Sequence, residues 1–228
     1  MLAFSKVSNG PLKRDASSVA CSIDGIYVIN LESSKDRLEE FSAKCEKEGL
    51  EFQRWEAVDG RKLDRKTLWK AGASHWALSD QSKKRKGEIG CFLSHRSLWY
   101  SLQNLPSIDT SGYLIVEDDA IFEENFTSKL SEALRYVPPD WDFVFVGHGN
   151  PKWIGIQGPV RKLEQLHGFF GYIIRAKTIK RILKYFWLIG EPIDVMLNRF
   201  SDKLNLYGLY HPLITPDGDV PSTIVVKE

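Results

Sequence analysis

The stretch YLIVEDDA (113–120) sets four apolar residues in succession ahead of Glu117, Asp118 and Asp119. A near-continuous apolar run of this length is the pattern of a strand buried on both faces, as parallel sheets have. Three carboxylates then crowd its carboxyl end. Such groups repel one another and lose hydration there, so leaving them is costly unless a cation or ligand compensates. Hard oxygen donors suit Mn²⁺ or Mg²⁺, which bind through one or two carboxylates together with phosphate oxygens. A diphosphate-bearing substrate is the matching partner. An ordinary reading stands beside this one: aspartate is favoured in strand-end turns and as the N-cap of a following helix. Spacing alone does not separate the two.

Upstream, Cys91, His95, Leu98, Leu102 and Leu105 recur at steps of four and three, which predicts a helix from Gly87 to about Leu105. Before it, residues 61–86 read as short helical pieces, and Lys83-Lys84-Arg85-Lys86 as a basic run in a solvated loop. Earlier still, IYVINL (26–31) reads as a strand, and Leu38, Phe41 and Cys45 as a helix ending at Gly49. FQRWEAVDG (52–60) then reads as a strand stopped by the turn pair Asp59-Gly60, completing a β-α-β unit.

Downstream, Phe126, Leu130, Leu134 and Val137 mark a helix ended by Pro138-Pro139. A strand DFVFVG (142–147), a loop over 148–160 and a strand FFGYIIR (169–175) follow. Ile179, Ile182, Leu183 and Phe186 give a further helix, and Pro192 suits the first turn of another. This alternation predicts an α/β domain over 25–228 with a mostly parallel central sheet and flanking helices, binding ligand beyond the carboxyl ends of its strands. Residues 1–24 lack a sustained period and read as a flexible N-terminal arm.

At 228 residues, one domain is the expectation. With 31 basic and 30 acidic residues the chain has no bulk field to draw it to nucleic acid. Its three cysteines are widely spaced, without the close pairs of a zinc site or disulfide framework, which fits a reducing compartment. No apolar run is long enough to span a bilayer, and the start lacks the apolar block of a secretory signal. The expected setting is the cytoplasm, at most at the periphery of a membrane; nothing in the pattern speaks to oligomeric state.

A second cluster, GEIGCFLSH (87–95), gathers two glycines, Glu88, Ser94 and His95 near a helix start, where small residues let phosphate approach. The plain alternative for His95, on its apolar stripe, is a buried imidazole satisfied by neighbours.

Together these segments resemble glycosyltransferase family 25, the group that includes bacterial lipopolysaccharide galactosyltransferases and collagen galactosyltransferases. The resemblance rests on four motifs in order: YVINLESSKDR (27–37), AVDG (57–60), GEIGCFLSH (87–95) and YLIVEDDA (113–120). It implies a single-domain nucleotide-sugar fold of the GT-A type, a UDP-sugar donor such as UDP-galactose, a glycan acceptor and a divalent metal, Mn²⁺ or Mg²⁺, at the acidic motif. On this resemblance Asp119 and Asp118 are the metal ligands. Asn30, Arg37, Asp59, Glu88, Ser94, His95, Glu117 and Asp118 belong to the donor pocket.

The family is regarded as inverting, which calls for a base on the acceptor side. EPIDVML (191–197) resembles the family's PID segment, making Asp194 the candidate base and Glu191 the fallback. Asp194 also reads as a helix-start carboxylate favoured by the macrodipole. His167 and His211 lie past the last family motif, where the resemblance allows a histidine to complete a metal shell; the structural reading of each is favoured. The absence of a retention tetrapeptide and signal points away from a secretory collagen-modifying enzyme and toward a lipopolysaccharide-type acceptor. The competing expectation is a non-catalytic glycan- or nucleotide-binding protein that keeps the fold.

Overall fold

In the computed structural model, which describes residues 20–80, 82–155 and 158–218, the YLIVE segment lies inside a six-stranded sheet. The first half of the chain runs β1 (Ser22–Asn30), α1 (Lys35–Glu48), β2 (Gln53–Glu56), α2 (Arg65–Lys70), α3 (His75–Ser79) and α4 (Lys83–Leu102). Next come β3 (Ser111–Glu117), β4 (Ala120–Phe122), α5 (Phe126–Ala133), β5 (Phe143–Ile154) and β6 (Val160–Arg175). The chain closes with α6 (Ile179–Tyr185), α7 (Ile193–Arg199), β7 (Leu206–Leu209) and β8 (Ile214–Pro216).

The sheet order is β2-β1-β3-β6-β5-β7, and β6 alone runs against the others, so the expected mostly parallel sheet is what forms. Period-2 alternation divides its side chains between two cores. Tyr113 and Ile115 face one with α4, α6 and α7, while Leu114 and Val116 face the other with α1 and α5. Both faces of β3 are thereby dry, as its unbroken apolar run requires.

The chain leaves β1 toward β2 on one side and returns to β3 on the other. Strand order therefore reverses between β1 and β3, the place where open α/β sheets bind ligands. Asn30 ends one of these strands and Glu117 the other.

Several expectations change. Lys83–Lys86 is not a loop but the first turn of α4, because the Ser82 hydroxyl accepts the Arg85 N–H at 3.2 Å and caps the helix there. The Arg85 guanidinium also lies 3.6 Å over the Trp76 ring. The helix ends at Leu102, not Leu105. Residues 148–154, read as part of a loop over 148–160, are instead strand: β5 and β6 form a long ribbon whose register shifts repeatedly between Phe145 and Trp153. Those irregularities accommodate Gly149 and Pro151, residues of the kind that argued for a loop.

The strand read over 52–60 is confined to Gln53–Glu56 and is followed by a 3₁₀ turn at Gly60–Lys62. β1 begins at Ser22, within the residues assigned to the arm, and residues 1–19 lie outside the described part. The acidic triplet does not cap a helix. It leads into β4, which pairs with β8, and α5 starts only at Phe126.

Candidate active site

At the β1/β3 reversal a cleft of about 670 Å³, open to solvent, is lined by Arg37, Asp59, Arg61, Ser94, Glu117 and Asp119 among others. One wall is made by close backbone packing of the AVDG segment on α4. A Cβ on Gly60 would stand 1.8 Å from the Lys86 carbonyl oxygen, and one on Gly90 would stand 2.7 Å from that of Val58. Only glycine permits this approach. Ser94 locks it, its hydroxyl accepting the Val58 N–H at 2.8 Å and donating to the Gly90 carbonyl at 2.7 Å.

The three adjacent carboxylates have three different surroundings. Asp118 is buried and held at both oxygens: the Asn30 amide donates to Oδ2 at 2.7 Å and Arg37 Nη1 to Oδ1 at 3.1 Å. Burial still raises its pKa, with Asn30 and Arg37 opposing. Glu117 Oε1 lies 3.3 Å from His95 Nε2 and accepts from the Cys91 thiol at 3.5 Å. Asp119 Oδ1 is buried and has no partner among the described residues. Burial first, then the charges of Glu117 and Asp118, push its carboxyl up to about 7. An orphaned, hard oxygen donor beside two further carboxylates fits a divalent cation of the Mn²⁺ or Mg²⁺ kind. Asp119 would hold it, with Asp118 beside it.

The other candidates divide. Asn30 is 1 % exposed and does not line the cleft; besides Asp118 it donates to the Ser34 carbonyl at 2.8 Å and accepts from Arg54 Nε at 2.9 Å. Its contribution is to position Asp118. Asp59 lines the cleft, but Arg61 grips it through Nε at 2.8 Å and Nη2 at 2.9 Å, and this guanidinium holds its carboxyl below the usual range. Glu88 pairs with Arg85 at 3.3 Å and is not among the cleft-lining residues. His95 is fully buried, with Nδ1 2.8 Å from the Tyr172 hydroxyl.

Asp194 stands in the first turn of α7, accepting the Gly168 N–H at 3.1 Å and the Val195 N–H at 2.9 Å. His167 is 4.0 Å away. Burial first, then Glu117 and, with smaller effect, the charges of Asp194 and Asp119, raise the Cys91 thiol's pKa, which places Asp194 near it. Glu191 is instead taken up by Arg199, which lowers its pKa. His211 is exposed and packs on Tyr210. Sequence reading missed Arg61, Tyr172 and Trp99 near this site; the DGRK string at 59–62 offered a signal for the first, and the four-residue step Cys91, His95, Trp99 for the last.

Among the described residues no helix is long and apolar enough to cross a membrane. The family profile described as "Glycosyltransferase family 25 (LPS biosynthesis protein)" matches residues 23–160. A "Glycosyltransferase 25 family member" of Anopheles gambiae is 30% identical over 72% of this chain and 29% of its own. "Procollagen galactosyltransferase 1" of Danio rerio is 27% identical over 76% of this chain and 30% of its own. "Putative glycosyltransferase R655" of Acanthamoeba polyphaga mimivirus is 33% identical over 54% of this chain and 36% of its own. The chain thus spans about a third of the length of these curated relatives.

Proposed function

The chain belongs to glycosyltransferase family 25, and we propose that it transfers a hexose, galactose, from a UDP-sugar to a lipopolysaccharide-type glycan with inversion at the anomeric carbon. The observation that carries this reading is the orphaned Asp119 Oδ1 beside a protein-held Asp118, at the strand-order reversal of the sheet. A non-catalytic binding module has no use for an uncompensated buried carboxylate, which disfavours that alternative.

Asp119 and Asp118 would hold Mn²⁺ or Mg²⁺. Such an ion, when bound, stabilises charge on a leaving diphosphate. Arg37 and Arg61, both on the cleft wall, add fixed positive charge where phosphate oxygens would lie. The AVDG wall, locked onto α4, gives the nucleotide a rigid flank. Asp194, fixed by two backbone N–H groups, is the base that takes the proton of the acceptor hydroxyl. Glu191, engaged by Arg199, is the weaker choice.

Incubation with a panel of UDP-sugars and Mn²⁺ tests this reading. One sugar, UDP-galactose, should be slowly hydrolysed without acceptor, and Asp119→Ala should abolish the turnover. Unchanged turnover in that variant would remove Asp119 from the mechanism, and no turnover or UDP binding at all would favour the non-catalytic alternative. Similarity to procollagen galactosyltransferases favours a second acceptor, collagen. Parallel assays with a bacterial oligosaccharide and a collagen peptide decide between the two.

A further inference from the structure

We infer that Trp99, Tyr172 and His95 form a one-way hydrogen-bond chain that ends on Glu117 and sets the orientation of its carboxylate, His95 acting as a positioning residue. The inference rests on the reading of the triplet as the metal and diphosphate end of the site.

The chain spans two layers of the fold. Cys91, His95 and Trp99 succeed one another at four-residue steps along α4, so they share one face of the helix. On β3, Ile115 and Glu117 point to the same side of the sheet, and Tyr172 of β6 is the register partner of Ile115. Helix and strands therefore face each other across this row of polar atoms. Around it the packing is aromatic: Phe143, Phe145 and Phe169 all lie against the Tyr172 ring.

The direction follows from what each group can do. An indole N–H only donates, and Trp99 Nε1 lies 2.9 Å from the Tyr172 hydroxyl oxygen. That hydroxyl has a single hydrogen of its own, and His95 Nδ1 is 2.8 Å away. Were the imidazole proton on Nδ1, the tyrosine hydrogen would be left without an acceptor in a fully buried setting, which folded proteins avoid. The hydroxyl therefore donates to Nδ1, the proton resides on Nε2, and Nε2–H donates to Glu117 Oε1 at 3.3 Å. The Cys91 thiol donates to the same oxygen at 3.5 Å. Both bonds fall on Oε1, so the carboxylate is pinned from the core side while the residue still lines the cleft.

The donor atoms of Cys91, His95 and Glu117 lie within 4.8 Å of one another, as they would in a soft-metal centre. Coordination through His95 Nε2 would move the proton to Nδ1 and strand the Tyr172 hydrogen. The same satisfaction argument thus assigns the three side chains to bonding one another.

The test combines nitrogen NMR of the ¹⁵N-histidine-labelled full chain with turnover of UDP-galactose in Mn²⁺, the His95 signal being assigned by its loss in His95→Gln. The expected spectrum has His95 in the Nε2–H tautomer, and Tyr172→Phe shifts the Nδ1 resonance and relaxes that preference. In turnover, Tyr172→Phe and His95→Leu should lower kcat about 10- to 100-fold, the range for outer groups that support a metal site, with KM for the donor little changed. His95→Gln, which keeps an N–H toward Glu117, should recover most of the loss. An Nδ1–H tautomer, a spectrum indifferent to Tyr172→Phe, or displacement of the Nε2–H signal by stoichiometric Zn²⁺ would overturn the chain. If no UDP-sugar is turned over, the functional reading fails and the spectra still decide the directional chain.

Discussion

Asn30 and Asp118 stand 88 residues apart in the chain and 2.7 Å apart in space. Their contact ties the end of β1 to the residue after β3, at the reversal of strand order. Every hydrogen-bonding group of the Asn30 side chain is committed, to Asp118, Ser34 and Arg54. Asn30→Ala should therefore cost about 2–4 kcal/mol, because it strands several buried partners at once. Urea unfolding measures this loss. A change below about 0.5 kcal/mol, the range of an indifferent surface substitution, would show that Asn30 does not hold the loop.

Asp119 presents the opposite case, a buried oxygen with no partner among the described residues. Asp119→Asn removes a crowded charge, so in metal-free buffer near pH 8 it should raise stability by roughly 1–3 kcal/mol. The same change should remove the stabilisation that Mn²⁺ gives the unaltered protein. Thermal melts with and without Mn²⁺ check both halves, and a destabilised metal-free variant would contradict the assignment.

The wall of the cleft depends on two glycines. Gly60→Ala and Gly90→Ala each force a methyl into backbone atoms, and each should cost on the order of 3 kcal/mol and weaken UDP binding. Gly49→Ala, at φ 65 with open space around it, should cost only about 1 kcal/mol and leave binding intact. Equal effects at the three positions would mean that close approach is not what the glycines supply.

Much of this architecture is legible in the chain, for identifiable reasons. YLIVE reads as a central strand because a short run without polar alternation suits a strand with both faces dry, as they are here. The basic run at 83–86 was misread since its helix is started by a cap at Ser82 and steadied by Arg85 on Trp76, contacts that periodicity does not carry. The ribbon at 148–154 was hidden by glycine, asparagine and proline, whose effect on a strand depends on bulges and on a partner many residues away.

At the site, acidic crowding was visible along the chain, but its division was not. Which carboxylate is held, by Asn30, by His95 or by no described residue, is decided by residues 22 to 88 positions distant. Glu88, which sequence placed in the pocket, differs: it is paired with Arg85, only three residues away on the same helix.

Alkaline behaviour follows from burial. Cys45 and Tyr113 are each pushed up to about 12, chiefly by desolvation. A proton held more tightly in the folded than the unfolded state stabilises the fold below the unfolded pKa, and that contribution is lost as pH rises toward the folded one. Stability should thus decline from about pH 9 toward 12, the window between the usual thiol value and the shifted ones. Cys45→Ala and Tyr113→Phe should each make the decline shallower in denaturant titrations across that range; an unchanged slope in both would contradict the burial argument.

The central claim, that the triplet is the metal and diphosphate end of a UDP-sugar site, is tested most directly by calorimetric titration of UDP into the protein with and without Mn²⁺. The account predicts binding that Mn²⁺ strengthens, by about 10- to 100-fold, and that Asp119→Asn reduces to the metal-free level. UDP affinity that is indifferent to both Mn²⁺ and Asp119, or no affinity under any of these conditions, would contradict it.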